Sequence, residues 1–210
     1  MEPRCGMSKS GYHHGNLKQA LVDAALDLIR AKGPTGFTLS EAAKQAGVTP
    51  AAVYRHYEGR EDLIAEAALQ GYEIFADVME HTYDHGQPSA LTAFERTGRA
   101  YLAFARQYPG HYIAMFESGV STNRTPDLAR ASQKARSVLD LAAQNLCDRI
   151  PADRRPPAAM FSAHIWAMSH GVVELFARNS PGTVSPFNPE DLLETGIGVY
   201  LRGLGILDRD

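Results

Sequence analysis

The chain has 210 residues, 44% hydrophobic and 21% charged, which is enough apolar material for a sizeable core and too much for a disordered polypeptide. Its net charge of −3 hides an asymmetry, because residues 1–60 carry 8 Lys and Arg against 5 Asp and Glu, whereas residues 61–210 carry 13 against 19. No apolar run approaches the roughly 18 residues a membrane helix needs, no hydrophobic stretch follows Met1, and Cys5 and Cys147 make neither a disulfide framework nor a zinc module, so the expectation is a cytoplasmic protein with free thiols and no membrane partner.

Residues 1–15 read as an N-terminal arm. From Asn16 to Lys32, Ala20, Leu21, Ala24, Ala25, Leu28 and Ile29 recur at intervals of three and four, the mark of one buried helix face, and Gly33-Pro34 stops it. Thr38-Leu39-Ser40-Glu41 fits a capping box opening a helix that runs through Ala46. Gly47 suits the left-handed residue after a helix end, and Thr49-Pro50 supplies an N-cap followed by proline for a second short helix reaching about Tyr57. After Glu58-Gly59, the residues Leu63, Ile64, Ala67, Ala68, Tyr72, Phe75 and Met79 line one face of a long connecting helix over 61–85, ended by Gly86 and Pro88. Further helices fall between punctuators: Ser89–Gln107, a short one around His111–Glu117, Pro126 to about Asp148 with Thr125 as cap, Pro157–Arg178, and Pro189–Leu207. No stretch alternates with period two, so the fold class is all-α.

Two short helices joined by a glycine turn, with an amphipathic helix on either side, form a helix-turn-helix. In that motif the second helix enters the major groove of duplex DNA with its N-terminal residues nearest the bases. Thr49, Pro50, Ala51 and Ala52 are small enough for close approach, and Arg55 can reach guanine or a phosphate. Tyr54, His56 and Arg60 offer donors that would set register on phosphates. The same pattern also describes an ordinary αα-hairpin.

Residues 16–63 resemble the DNA-binding domain of TetR/AcrR-type bacterial regulators, through Phe37-Thr38-Leu39, Ala42-Ala43, Ala46-Gly47-Val48, Val53-Tyr54, His56-Tyr57 and Glu61-Asp62-Leu63. The resemblance implies a DNA-binding domain over 16–60, a helical effector-binding and dimerisation domain over 61–210, and a homodimer that reads palindromic double-stranded operator DNA, by default as a repressor. It also implies backbone contacts from Thr38 and Ser40 and phosphate contacts at Tyr54 and His56. Arg60 stands where the family more often has lysine, and Gly59 replaces its usual cap. Trp166, His170 and Gly171 form a Trp-x-x-x-His-Gly pattern similar to the C-terminal domain of one branch of these regulators.

Tyr101, Phe104 and Tyr108, then His111, Met115 and Phe116, with Trp166 and His170, are candidate walls for a small hydrophobic or aromatic effector; filling a core is their alternative role. For dimerisation, Phe161, Ile165, Met168, Val172 and Phe176 line one late helix and Leu193, Ile197, Tyr200, Leu201 and Leu204 line the last, giving a four-helix interface across a twofold axis. A ligand that prefers wrongly spaced recognition helices would lower operator affinity, with the helix from Arg60 to His85 as lever. No nucleophile elbow, phosphate loop or zincin helix is present, so an enzyme is not expected, and no cofactor is implied. His81 and His85, at i and i+4 near Asp77 and Asp84, leave a metal-responsive regulator as one alternative. A helical dimeric interaction protein with degenerate DNA binding is another.

Overall fold

The computed structural model describes residues 14–177 and 185–207, and every regular element among them is helical. Nine α-helices follow in order: α1 (His14–Lys32), α2 (Leu39–Gln45), α3 (Pro50–Val53), α4 (Arg60–Tyr83), α5 (Ala90–Gln107), α6 (Pro109–Phe116), α7 (Pro126–Cys147), α8 (Ala158–Val172) and α9 (Pro189–Leu204). The expected punctuation is largely where the helices begin. Thr38, Ser89 and Thr125 accept hydrogen bonds from the backbone N–H groups of Glu41, Thr92 and Leu128, and Asn188 does the same for Glu190, each satisfying an orphan donor of a first turn.

The N-terminal unit is built on one small core. Leu21, Ile29, Phe37, Leu39, Ala42, Val53, Tyr57 and Leu63 are all buried, which joins α1, α2 and α3 to the start of α4. Gly47 closes α2 at φ +71°, where Val48 N–H donates to Ala43 O (2.9 Å) and Gly47 N–H to Lys44 O (3.2 Å). Any residue with a Cβ would be strained in that left-handed turn.

α4 forms the spine. Leu63, Ile64, Ala67, Ala68, Tyr72, Phe75 and Met79 are buried as their spacing predicts, and the helix packs against α1, α5, α6 and α7. Each fully buried Leu or Phe of this kind contributes roughly 1.5–3 kcal/mol. α6 is wedged against both α4 and α1. A Cβ at Gly110 would lie 3.0 Å from Leu26 O, so the two helices can approach this closely only with glycine there.

Three boundaries differ from expectation by three residues or more. Regular α-helical bonding in α3 stops at Val53, and residues 54–57 continue as a turn in which His56 and Tyr57 N–H share Val53 O. α8 ends at Val172 and widens into a π-helical turn, Val173–Ala177, after Gly171 and two β-branched residues that hold a helix weakly; Arg178 and most of the loop beyond it lie outside the described residues. α9 ends three residues early, at Leu204.

Candidate nucleic-acid interface and effector cavity

The turn between α2 and α3 sorts the side chains of the motif onto two sides. Val53 and Tyr57 point into the core, whereas Thr49, Pro50, Ala51, Tyr54, Arg55 and His56 are exposed, Tyr54 by 58%, and Ala52 is half-buried. The Thr49 hydroxyl makes no capping bond, so it is available to an outside partner. Ser40 is exposed on α2. Thr38 is exposed too, but its hydroxyl and N–H are engaged with Glu41 in the capping box (Glu41 N–H to Thr38 Oγ1 3.2 Å, Thr38 N–H to Glu41 Oε2 2.8 Å). Lys32 Nζ sits 2.7 Å from Glu41 Oε1, and this bond together with those from Thr38 holds the Glu41 carboxyl down to about 2.

Arg60, expected at a phosphate, also braces the fold through one of its nitrogens. Its Nη1 donates to Thr35 O (2.8 Å) and Phe37 O (3.1 Å), and its Nε is buried without a partner among the described residues. The guanidinium braces the loop that leads into α2.

Behind this unit, Arg124 in the α6–α7 loop reaches the first turn of α4. Its Nη1 lies 2.9 Å from Glu61 Oε2, and its Nε and Nη2 lie 2.9 and 2.8 Å from Asp62 Oδ1. The other Asp62 oxygen accepts from Glu58 N–H (3.0 Å) and Gly59 N–H (3.1 Å). The bonds from Arg124, followed by those from the backbone, hold the Asp62 carboxyl below the usual range. One side chain therefore caps α4 and ties it to the α6–α7 loop. Asp62 belongs to the Glu61-Asp62-Leu63 motif, but nothing in the sequence singles out Arg124 as its partner.

Eight aromatic, Met and His residues were expected around an effector. Tyr101 and Trp166 do line a small cavity of about 40 Å³ between α5, α7, α8 and α9. The other six instead fill the core or border it. Phe104 packs edge-on to Phe75 (4.9 Å between centroids) and against Tyr108, Met115 is buried, and Phe116 packs on Tyr72 and Tyr112. His111 is half-buried, and burial pushes its imidazole below the ordinary value. His170 stacks on Tyr112, with Nδ1 at hydrogen-bonding distance from Tyr112 Oη (2.8 Å) and Tyr101 Oη (3.0 Å). Burial, the leading cause, raises the pKa of both phenols. The cavity walls that the sequence did not single out include Phe94, Thr97, Ser162 and Ser169.

The expected dimer residues divide as well. Phe161 (0% exposed), Val172, Leu193 and Leu201 are buried within the one chain, with Phe161 stacked on Tyr200 at 5.7 Å, so they cannot line a surface between two copies. Ile165 and Ile197 turn toward the cavity, while Met168, Phe176, Tyr200 and Leu204 are half-buried. The outward apolar stripe runs one or two positions away. It comprises Met160, Ala163 and Ala167 of α8, Leu175 (74% exposed) just beyond it, and Gly196, Val199 and Gly203 of α9. α8 carries no charged side chain, so it is apolar almost all round, and periodicity alone could not separate its inner face from its outer one.

At the end of α4, His81 and His85 are exposed, and Lys134 pairs with Asp77 and Glu80, both at 3.2 Å. Among the described residues no group of three His, Cys, Asp or Glu side chains is placed to hold a metal ion, and no helix is long and apolar enough to cross a membrane.

Comparison with known proteins gives two family matches. Residues 21–67 match the model of bacterial regulatory proteins of the tetR family, and residues 94–200, half the chain, match that of the tetracyclin repressor-like C-terminal domain. Among curated proteins, the HTH-type transcriptional regulator YobS of Bacillus subtilis is 28% identical over 115 residues, 54% of either chain. The biofilm operon icaADBC HTH-type negative transcriptional regulator IcaR of Staphylococcus epidermidis is 26% identical over 68 residues, 32% of this chain and 37% of that one. The chain thus spans about half the length, or less, of these relatives. Among solved structures, a protein of unknown function from Rhodococcus sp. RHA1 superposes with a TM-score of 0.74 at 22% identity, covering 93% of this chain and 99% of that one.

Proposed function

The chain belongs to the TetR family of bacterial regulatory proteins, whose members are DNA-binding transcriptional regulators, and on that premise we propose that it is a homodimeric repressor released from a palindromic operator by a small hydrophobic or aromatic molecule. The observation that carries this reading is the outward row on α3. Thr49, Pro50 and Ala51 stand exposed with Arg55 and His56, while Val53 and Tyr57 anchor the helix from behind. Small residues at the start let the backbone approach the floor of the major groove, and Arg55, Tyr54 and His56 supply donors for bases or phosphates. Residues 16–60 are then the DNA-binding domain and 61–210 the effector-binding and dimerisation domain. IcaR, a negative regulator by name, favours repression as the default.

The second copy covers the uncharged stripe of α8 and α9. Small side chains there allow close helix packing across a twofold axis, and burying them removes apolar surface from water.

Release by effector follows from cavity size. About 40 Å³ is far below the roughly 300–1,000 Å³ of a typical small-molecule pocket, so a ligand must push the walls apart and bind the widened form better. Leu139, Ala142 and Ala143 place α7 among those walls, and Arg124 just ahead of α7 holds Asp62 on α4. Movement of α7 is thereby passed to the helix that orients α3. Coupling of this kind is typically about 1–3 kcal/mol. A mobility-shift titration of the full chain against DNA flanking its own gene tests the reading. A retarded complex that unlabelled flanking DNA competes away, and random DNA does not, supports it; no preference at modest salt rejects it.

A further inference from the structure

We infer that the cavity selects neutral aromatic molecules of one or two rings that carry a hydroxyl or carbonyl oxygen, and that Ser169 is the residue that recognises that oxygen. This rests on the reading of the cavity as the effector site and adds the ligand's chemistry. Phe94, Tyr101 and Trp166 supply aromatic walls, and no charged side chain lines the space. An ion pair borders the wall, with Arg136 4.4 Å from the Trp166 ring centroid and 3.2 Å from Asp140. Neither charge lines the cavity, so an ionised ligand would be buried there without a direct counter-charge, at a large desolvation cost.

Four hydroxyls interrupt the apolar lining, and three are already committed. Thr97 Oγ1 donates to Ala93 O (2.8 Å), Ser162 Oγ donates to Asp140, and Tyr101 Oη lies 3.0 Å from His170 Nδ1. Ser169 is only 5% exposed, and its hydroxyl has no hydrogen-bond partner among the described residues. A serine in mid-helix usually spends its proton on the carbonyl one turn back. Here the proton is unspent and the side chain borders the cavity. A ligand oxygen accepts that proton, and if it is a hydroxyl its own proton finds a lone pair on Thr97 or Ser162, which act as acceptors only. A hydrocarbon of the same shape leaves Ser169 unsatisfied, so it binds more weakly.

Trp166 is the chain's single tryptophan and lines the cavity, so its emission, excited at the red edge of its absorption, reports occupancy. The 210-residue chain is titrated with 4-ethylphenol, ethylbenzene and 4-ethylbenzoate. The expected result is that 4-ethylphenol binds roughly 3- to 10-fold more tightly than ethylbenzene, the range of one net hydrogen bond, and at least ~10-fold more tightly than the benzoate. Ser169→Ala brings the two neutral probes to equal affinity, and a melting curve shows that the variant is folded. Ala142→Leu fills the space and abolishes binding, with Ala143→Leu as substitute should the first not fold. A phenol preference that survives in Ser169→Ala, or a benzoate that binds as well as the phenol, overturns the inference while leaving the cavity reading standing. If no probe alters Trp166 emission, or if the filled variants bind unchanged, the cavity reading itself fails.

Discussion

Arg124 and Asp62 meet through two guanidinium nitrogens on one carboxylate oxygen, at 2.9 and 2.8 Å, while the other oxygen caps the first turn of α4. The two functions of Asp62 separate by mutation. Arg124→Ala removes only the clasp, between side chains that are 35% and 30% exposed, and should cost little because such partly solvated pairs are weak. Asp62→Ala removes the cap as well and should cost about 1–2 kcal/mol. Thermal unfolding of the two variants gives the ordering; equal losses would mean that the cap adds nothing.

Acid should act through the same groups. Asp62 and Glu41 both have folded-state pKa values below the ordinary carboxylate range, Asp62 chiefly through Arg124 and Glu41 chiefly through Lys32. A depressed folded pKa contributes stability above the unfolded value of roughly 4 and loses it as pH falls through the folded value. Urea midpoints should therefore fall most steeply below about pH 4, after a separate loss below about pH 6.5 where the unfolded chain protonates His111 more readily than the folded one, and the double variant Glu41→Gln/Asp62→Asn should show a shallower fall below about pH 4 than the parent. An equally steep fall in the double variant would place the acid sensitivity elsewhere.

The α8 and α9 faces make opposite predictions. Ala167→Arg combined with Val199→Glu puts charge on the outward stripe and should convert dimer to monomer in sedimentation velocity, with the secondary structure retained. Phe161→Ala works from the inner face, where a fully buried ring is lost, and should cost about 3–5 kcal/mol of stability. A dimer that survives both outward charges would move the interface to another surface.

Much of the N-terminal unit was legible because local chemistry specified it. The Thr38–Glu41 box, the Gly47 turn and the inward face of α4 each follow from spacing and residue type, and each is where the sequence placed it. Positions further along failed for identifiable reasons. α8 is apolar almost all round, so a stripe drawn through Phe161 and Val172 was the buried one. Aromatic residues at helical spacing fill cores as readily as they line pockets, and Phe104 and Phe116 do the former. Ser169 lies within an apolar helix, and only the tertiary structure shows that it borders the cavity.

Arg55 and Arg60 should part in their salt dependence. Arg55 is exposed beside α3, and Arg55→Ala should reduce the slope of log affinity against log salt by about 1 if it meets a phosphate. Arg60 holds Thr35 O and Phe37 O, so Arg60→Ala should lower the melting temperature and leave the slope as it is. A slope changed by Arg60→Ala and not by Arg55→Ala would reverse the two assignments.

The central claim is that two identical α3 segments read one duplex, and selection of bound DNA from a random pool by the 210-residue chain tests it most directly. The account predicts an enriched inverted repeat whose half-sites lie about one helical turn apart, or a multiple of it. A pool that stays random after repeated rounds, or one that converges on a single asymmetric half-site, contradicts it.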